Sequence, residues 1–108
     1  MLERGQIVWI DFNPQKGREQ SGRRPAVVIS PKAYNEVSSC VLVCPITSNV
    51  APWPWKVTLP EDDQVTGAIL VDQVKSIDAR ARHIEVTAQK LSGPVVADVL
   101  ARLAPLVS

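Results

Sequence analysis

Nine consecutive residues, Lys16-Gly17-Arg18-Glu19-Gln20-Ser21-Gly22-Arg23-Arg24, set four cations against one carboxylate. The segment carries +3 in a chain whose formal net charge is +1, so its positive field is local and its natural guest is an anion. Arginine suits such a guest because its planar fork of donors matches phosphate oxygens in pairs. Arg24 abuts Pro25, whose ring fixes the backbone entering the next apolar run, so its side chain is the most firmly held of the four. Lys75, Arg80 and Arg82, offset by Asp78, form a second basic segment placed to line a groove with the first. Against this stands a plainer reading: loop arginines are usually solvated and nothing more, and so is a lone exposed histidine such as His83.

Metal and thiol chemistry are disfavoured. Cys40 and Cys44 fall in one strand-like run, where four residues at about 3.3 Å each put their Cα atoms roughly 13 Å apart, well beyond the limit of about 7 Å for a disulfide. With no other cysteine and a single histidine, zinc held by cysteine and histidine ligands is not expected, and no cofactor is implied. Both thiols read as small core residues. No run approaches the roughly 20 apolar residues of a membrane span, and Met1-Leu2-Glu3-Arg4-Gly5 opens without the apolar core of a signal peptide. A cytoplasmic protein without membrane contact is the expectation. At 108 residues and 45% hydrophobic content, one domain over residues 1–108 forms a single small core, and self-association into a dimer would extend it.

The elements that must hold these groups are mostly strands. Gln6 to Phe12 is rich in β-branched and aromatic residues and stops at Asn13-Pro14. Pro25 to Ser30 predicts a second strand, Pro31 to Glu36 a turn or one helical turn, and Ser39 to Thr47 a third strand, apolar enough to be central. Ala51-Pro52-Trp53-Pro54-Trp55 cannot lie in a central strand, because proline donates no hydrogen bond. Lys56 to Leu59 resumes alternation, Gly67 to Ile77 is one long strand or two joined by a bend, and Ile84 to Thr87 is a short edge strand. One helix comes last: Ser92 can cap it, Pro94 suits its first turn, Val95, Val96, Val99, Leu100 and Leu103 recur at helical spacing, and Pro105 is expected to end it. Short strands with turn signals and one terminal helix describe a small antiparallel barrel or half-barrel, α+β in class and mainly β.

Taken together, Gly5 to Phe12, Lys16 to Val28, the strand end Pro45-Ile46-Thr47 and Asp72-Gln73-Val74-Lys75-Ser76 resemble the MazF/PemK family of toxin endoribonucleases. The likeness runs from Gly5 to Arg82, and in outline to the terminal helix. Its first block, G-x-E-Q-x-G-x-R-P-[AV]-[VL]-[VI], requires strand, loop, charge and proline in register; Arg18 stands where relatives often carry a small residue. The resemblance implies an SH3-like, CcdB-type barrel acting as a homodimer. It implies metal-independent, sequence-specific cleavage of single-stranded RNA, and neutralisation by a cognate antitoxin whose acidic tail occupies the RNA groove. Arg24 and Thr47 match the family's positions for chemistry, Glu19 and Gln20 the loop positions beside them, and Gln73 a strand position near the groove. Lys16, Arg18, Arg23, Lys75 and Arg82 are the further expected RNA contacts.

The chemistry can be reasoned without the family. RNA carries its own nucleophile, the 2′-hydroxyl, so an enzyme need only align that oxygen with the adjacent phosphorus, help its proton leave, stabilise the added charge and protonate the leaving 5′-oxygen. Arg24 offers the donors for the phosphate oxygens and Thr47 a hydroxyl that can bridge phosphate and nucleophile. Glu19 has base chemistry but lies among cations that lower its pKa, while an arginine with a pKa above about 12 is an awkward proton carrier. The assigned division is therefore transition-state stabilisation with a share in proton transfer for Arg24, assisted by Glu19. The competing reading is a non-catalytic, CcdB-like inhibitor that binds DNA gyrase; it leaves Arg24 and Thr47 without a task, and the ending Pro105-Leu106-Val107-Ser108 lacks that family's tryptophan-bearing tail. Trp53 and Trp55 suit contact with a protein partner better than base stacking, since an apolar loop left bare is adhesive.

Overall fold

The computed structural model describes residues 2–12, 22–60 and 64–108. Seven antiparallel strands are built in chain order: β1 (Gln6–Asp11), β2 (Arg23–Val28), β3 (Cys40–Thr47), β4 (Lys56–Thr58), β5 (Ala68–Leu70), β6 (Lys75–Asp78) and β7 (Glu85–Lys90). A short helix α1 (Lys32–Val37) joins β2 to β3, and the long helix α2 (Gly93–Val107) closes the chain. The sheet order is β4-β5-β3-β2-β1-β7, with β6 also paired to β3. Among the described residues the order runs from β4 to β7 without closing, which is the half-barrel form of the expected architecture.

Apolar residues occur on both faces of the central strands because both faces are covered. Ile7 and Val8 are adjacent in β1 and both are fully buried, one in each of two clusters. The first cluster joins Ile7, Val27, Cys44, Ile46 and Ile69 to Val99 of α2, with Val95, Val96 and Leu103 packed against it. The second gathers Val8, Ile10, Phe12, Ala26, Val28, Val43 and Ile77. Such interiors tolerate deletion badly. Ile69→Ala, at a side chain with no exposed surface, is expected to lower stability by about 2–5 kcal/mol in a denaturant titration.

The stretch from Gly67 to Ile77 is two strands joined by a bend. From Ile46 opposite Ile69 to Val43 opposite Lys75, β3 advances three residues while its partner advances six. Three residues are surplus, and Val71–Gln73 form a 3-10 turn that takes them out of the ladder. Gln73 therefore sits in a turn rather than on a strand, a correction to the sequence expectation. Other boundaries differ too. β7 runs six residues and lies at the sheet edge against β1. Ser92 occupies the N-cap position of α2 without a side-chain hydrogen bond; Pro94, within the first turn, has no N–H to offer it. Pro105 does not end the helix, which continues to Val107; so close to the end, proline removes only one backbone hydrogen bond.

Candidate active site

β2 and β3 lie side by side, with Ala26 opposite Pro45, Val27 opposite Cys44 and Val28 opposite Val43. The pairing ends at Ala26 and Pro45; continued two places further, the same register would set Arg24 across from Thr47. Residues opposite one another in an antiparallel pair share a face, so both belong to the face of the second cluster, beyond Ala26. On its other side Arg24 is paired with buried Ile10 of β1. Thr47 is only 5% exposed. Its Oγ1 accepts a hydrogen bond from the Asn49 backbone N–H at 3.1 Å, which fixes the hydroxyl where the chain leaves β3.

Lys75 reaches the same end by a different route. It starts opposite Val43, and its Nζ lies 5.6 Å from the centroid of the Phe12 ring, the last aromatic of the second cluster. A cation held over the face of a ring is drawn to its quadrupole and kept out of bulk solvent. Arg24, Lys75 and Thr47 thus share one face of the sheet, two cations and a hydroxyl. An arrangement of that kind can hold a phosphodiester and favour charge developing on it.

Arg23 is adjacent to Arg24 in β2, and alternate residues of a strand point to opposite faces. Its guanidinium pairs with Glu85 of β7 and lies 5.8 Å from the Trp9 ring centroid. Arg82 donates from Nη1 to the carbonyl of Asp11 at 3.5 Å. Arg23 and Arg82 line a hollow of about 380 Å³ with Asp11, Ala81 and His83, the last in a left-handed backbone conformation with φ 51°. The structure therefore gathers Arg23 and Arg82 on one hollow, which neither Arg24 nor Lys75 lines. Lys16, Arg18, Glu19 and Gln20 lie outside the described residues. A larger hollow of about 450 Å³, between α1, the turn after β6 and β7, is lined by neither Arg24 nor Thr47.

The tryptophan loop is tied down at both ends. Trp53 is 49% exposed, yet its Nε1 donates to Asp72 Oδ2 at 3.1 Å, and the Trp55 carbonyl accepts from the Val71 N–H at 2.9 Å. Both contacts fall on the turn that carries Gln73, so loop and turn form one unit. Arg102 of α2 donates to the Pro54 carbonyl and anchors the other flank. Cys40 and Cys44 are free; burial, and then the charge of Asp72, push the Cys44 thiol up to about 12, so it stays neutral and inert. Cys40 is half-buried, less enclosed than a core residue.

One feature of the site escaped sequence reasoning. Gly67, next to β5, has φ +121°, and a Cβ built there would lie 2.2 Å from the Thr47 carbonyl oxygen. The visible signal was a lone glycine in front of an apolar strand, which marks close backbone approach without saying to what.

Comparison with known proteins identifies the family and the fold. The family described as PemK-like, MazF-like toxin of type II toxin-antitoxin system matches residues 3–107. "Endoribonuclease toxin MazF" of Escherichia coli (strain K12) is 46% identical over 78 residues, spanning 72% of this chain and 69% of that protein. A crystal structure of MazF from Deinococcus radiodurans superposes with a TM-score of 0.90 at 42% identity, covering 98% of this chain and 96% of that one. The MazE-MazF crystal structure (Form-II) from the same organism gives a TM-score of 0.85 at 42% identity, over 98% and 95% of the two chains.

Proposed function

This chain belongs to the PemK-like, MazF-like toxins of type II toxin–antitoxin systems and is an endoribonuclease, and we propose that it cuts single-stranded RNA at short motifs by attack of a ribose 2′-hydroxyl. What supports the chemical part is the β2–β3 register, which, continued two places beyond Ala26 and Pro45, would set Arg24 across from Thr47 on one face of two neighbouring strands. The 2′-oxygen bonds to the adjacent phosphorus as the bond from phosphorus to the 5′-oxygen breaks. One proton leaves the nucleophile and one is taken up by the leaving oxygen. The products are a 2′,3′-cyclic phosphate and a 5′-hydroxyl.

In this reading Arg24 binds the non-bridging oxygens and gains contact as they take on charge. Thr47 holds the nucleophile against the phosphate, where orientation is worth most of the acceleration. Glu19 assists the proton transfer. Lys75 and Gln73 contact the strand of RNA on one side of the cut, and Arg23 and Arg82 meet it farther along. The reaction needs no metal, because the nucleophile comes from the substrate and the counter-charge from arginine. A cognate antitoxin with an acidic segment would compete for the same cations, and a dimer of this chain would present two such ends. With messenger RNA as its substrate, the protein would act in the cytoplasm.

Incubation of purified protein with mixed-sequence RNA in a chelator tests the reading. Cuts at a short shared motif, leaving cyclic phosphate and 5′-hydroxyl ends, are expected. Cleavage abolished by the chelator, or ends bearing a 5′-phosphate, would contradict the metal-free route.

A further inference from the structure

We infer that Gly67 is a positioning residue for the cleavage: the lack of a side chain there sets where the Thr47 hydroxyl stands. The inference rests on the reading of Thr47 given above. Three strands meet at this point. Ala68 lies opposite Thr47 of β3 on one side and Thr58 of β4 on the other. Gly67 precedes it, and its carbonyl accepts the Leu59 N–H at 2.9 Å, so residue 67 cannot retreat without losing a backbone hydrogen bond. On the other flank an ideal Cβ would sit 2.2 Å from the Thr47 carbonyl oxygen and 3.1 Å from its carbonyl carbon. Both atoms are backbone, so no rotamer change relieves the overlap. With φ at +121°, the residue also lies in a region that L side chains rarely adopt.

Any L side chain at 67 must therefore push the end of β3 away or tear β5 from it. Thr47 is nearly buried, and its hydroxyl is registered by one hydrogen bond to the Asn49 N–H. A shift of the backbone carries that hydroxyl with it. Arg24, on the far side of β3 from β5, keeps its place, so RNA still binds while the nucleophile is held badly. Gly67 thereby acts on the step that depends on alignment and leaves the step that depends on charge.

The test is a double-mutant cycle on steady-state cleavage, with melting curves as a check of folding. Gly67→Ala is expected to lower kcat by about 10²-fold, the scale of a misplacement near 1 Å, with KM within about twofold of the parent. Adding Gly67→Ala to Thr47→Ala should cost nothing further, because the group being positioned is already gone. Losses that multiply in the double variant, or a Gly67→Ala protein that cleaves like the parent while Thr47→Ala does not, overturn the inference and leave the active-site reading intact. Full cleavage by Thr47→Ala sinks that reading and the inference with it. Should Gly67→Ala fail to fold, a semisynthetic chain with D-alanine at 67 replaces it: D-residues favour positive φ and carry the methyl on the opposite side of Cα. Cleavage near the parent rate supports the inference, and a folded D-alanine protein that has lost cleavage overturns it.

Discussion

Arg24→Ala is expected to lower the cleavage rate by about 10²–10³-fold, the range seen when one preorganised donor to a developing oxyanion is removed. The fold should survive. Arg24 is half-buried at the end of β2, and what holds that strand end is the backbone ladder to β1, where Ile10 stands opposite it. Melting should therefore move little compared with the loss expected for Ile69→Ala. Arg24→Lys separates charge from geometry: a lysine keeps the cation but presents a point charge in place of a planar fork, so it should recover RNA binding and little of the rate. Near-normal cleavage by Arg24→Ala would show that the guanidinium does not stabilise the transition state, and the assignment of this strand end as the catalytic centre would fall with it.

The contrast between Arg24 and Arg23 shows what a strand does to a basic sequence. In the chain they form one cationic pair, and charge alone assigns both to RNA. In the sheet their side chains leave opposite faces, and Arg23 is engaged by Glu85 and the Trp9 ring. Arg23→Ala should consequently affect RNA affinity far more weakly than Arg24→Ala affects the rate, since an exposed ion pair is worth at most about 1 kcal/mol.

Much of the fold was legible because the strongest signals are the apolar ones. β3 is nearly all apolar and is indeed central, hydrogen-bonded to β2 on one edge and to β5 and β6 on the other. The helical spacing of Val95, Val96, Val99 and Leu103 marks the face of α2 that covers the first cluster. The bend at Val71–Gln73 was harder to place, since it follows from a mismatch of three residues between β3 and its partners, a long-range fact that local propensity does not carry. Pro105 misled for a related reason: its cost depends on how many turns follow it, and here almost none do. In the site, Arg24 and Thr47 were identifiable by their motifs, while the shared face that links them follows only from the β2–β3 pairing. Gly67 was invisible as a participant because its contribution is an absent atom, and only the approach of the Thr47 carbonyl gives that absence a meaning.

The single substitution with the largest expected effect lies in the substrate. If the ribose is the nucleophile, deleting its 2′-oxygen removes the reaction outright rather than slowing it, since no group remains to attack the phosphorus. Binding should persist, because in the proposed reading Arg24 and Lys75 address the phosphate and not the sugar hydroxyl. The most direct measurement is therefore cleavage of an RNA carrying one deoxyribose on the 5′ side of the mapped cut, beside the all-ribose parent. Loss of cleavage at that linkage alone, with the modified strand still competing for the parent, is the predicted result. Cutting at the deoxyribose linkage would mean that an outside nucleophile attacks the phosphate, and the claim that Arg24 and Thr47 let the RNA strand cut itself would be wrong.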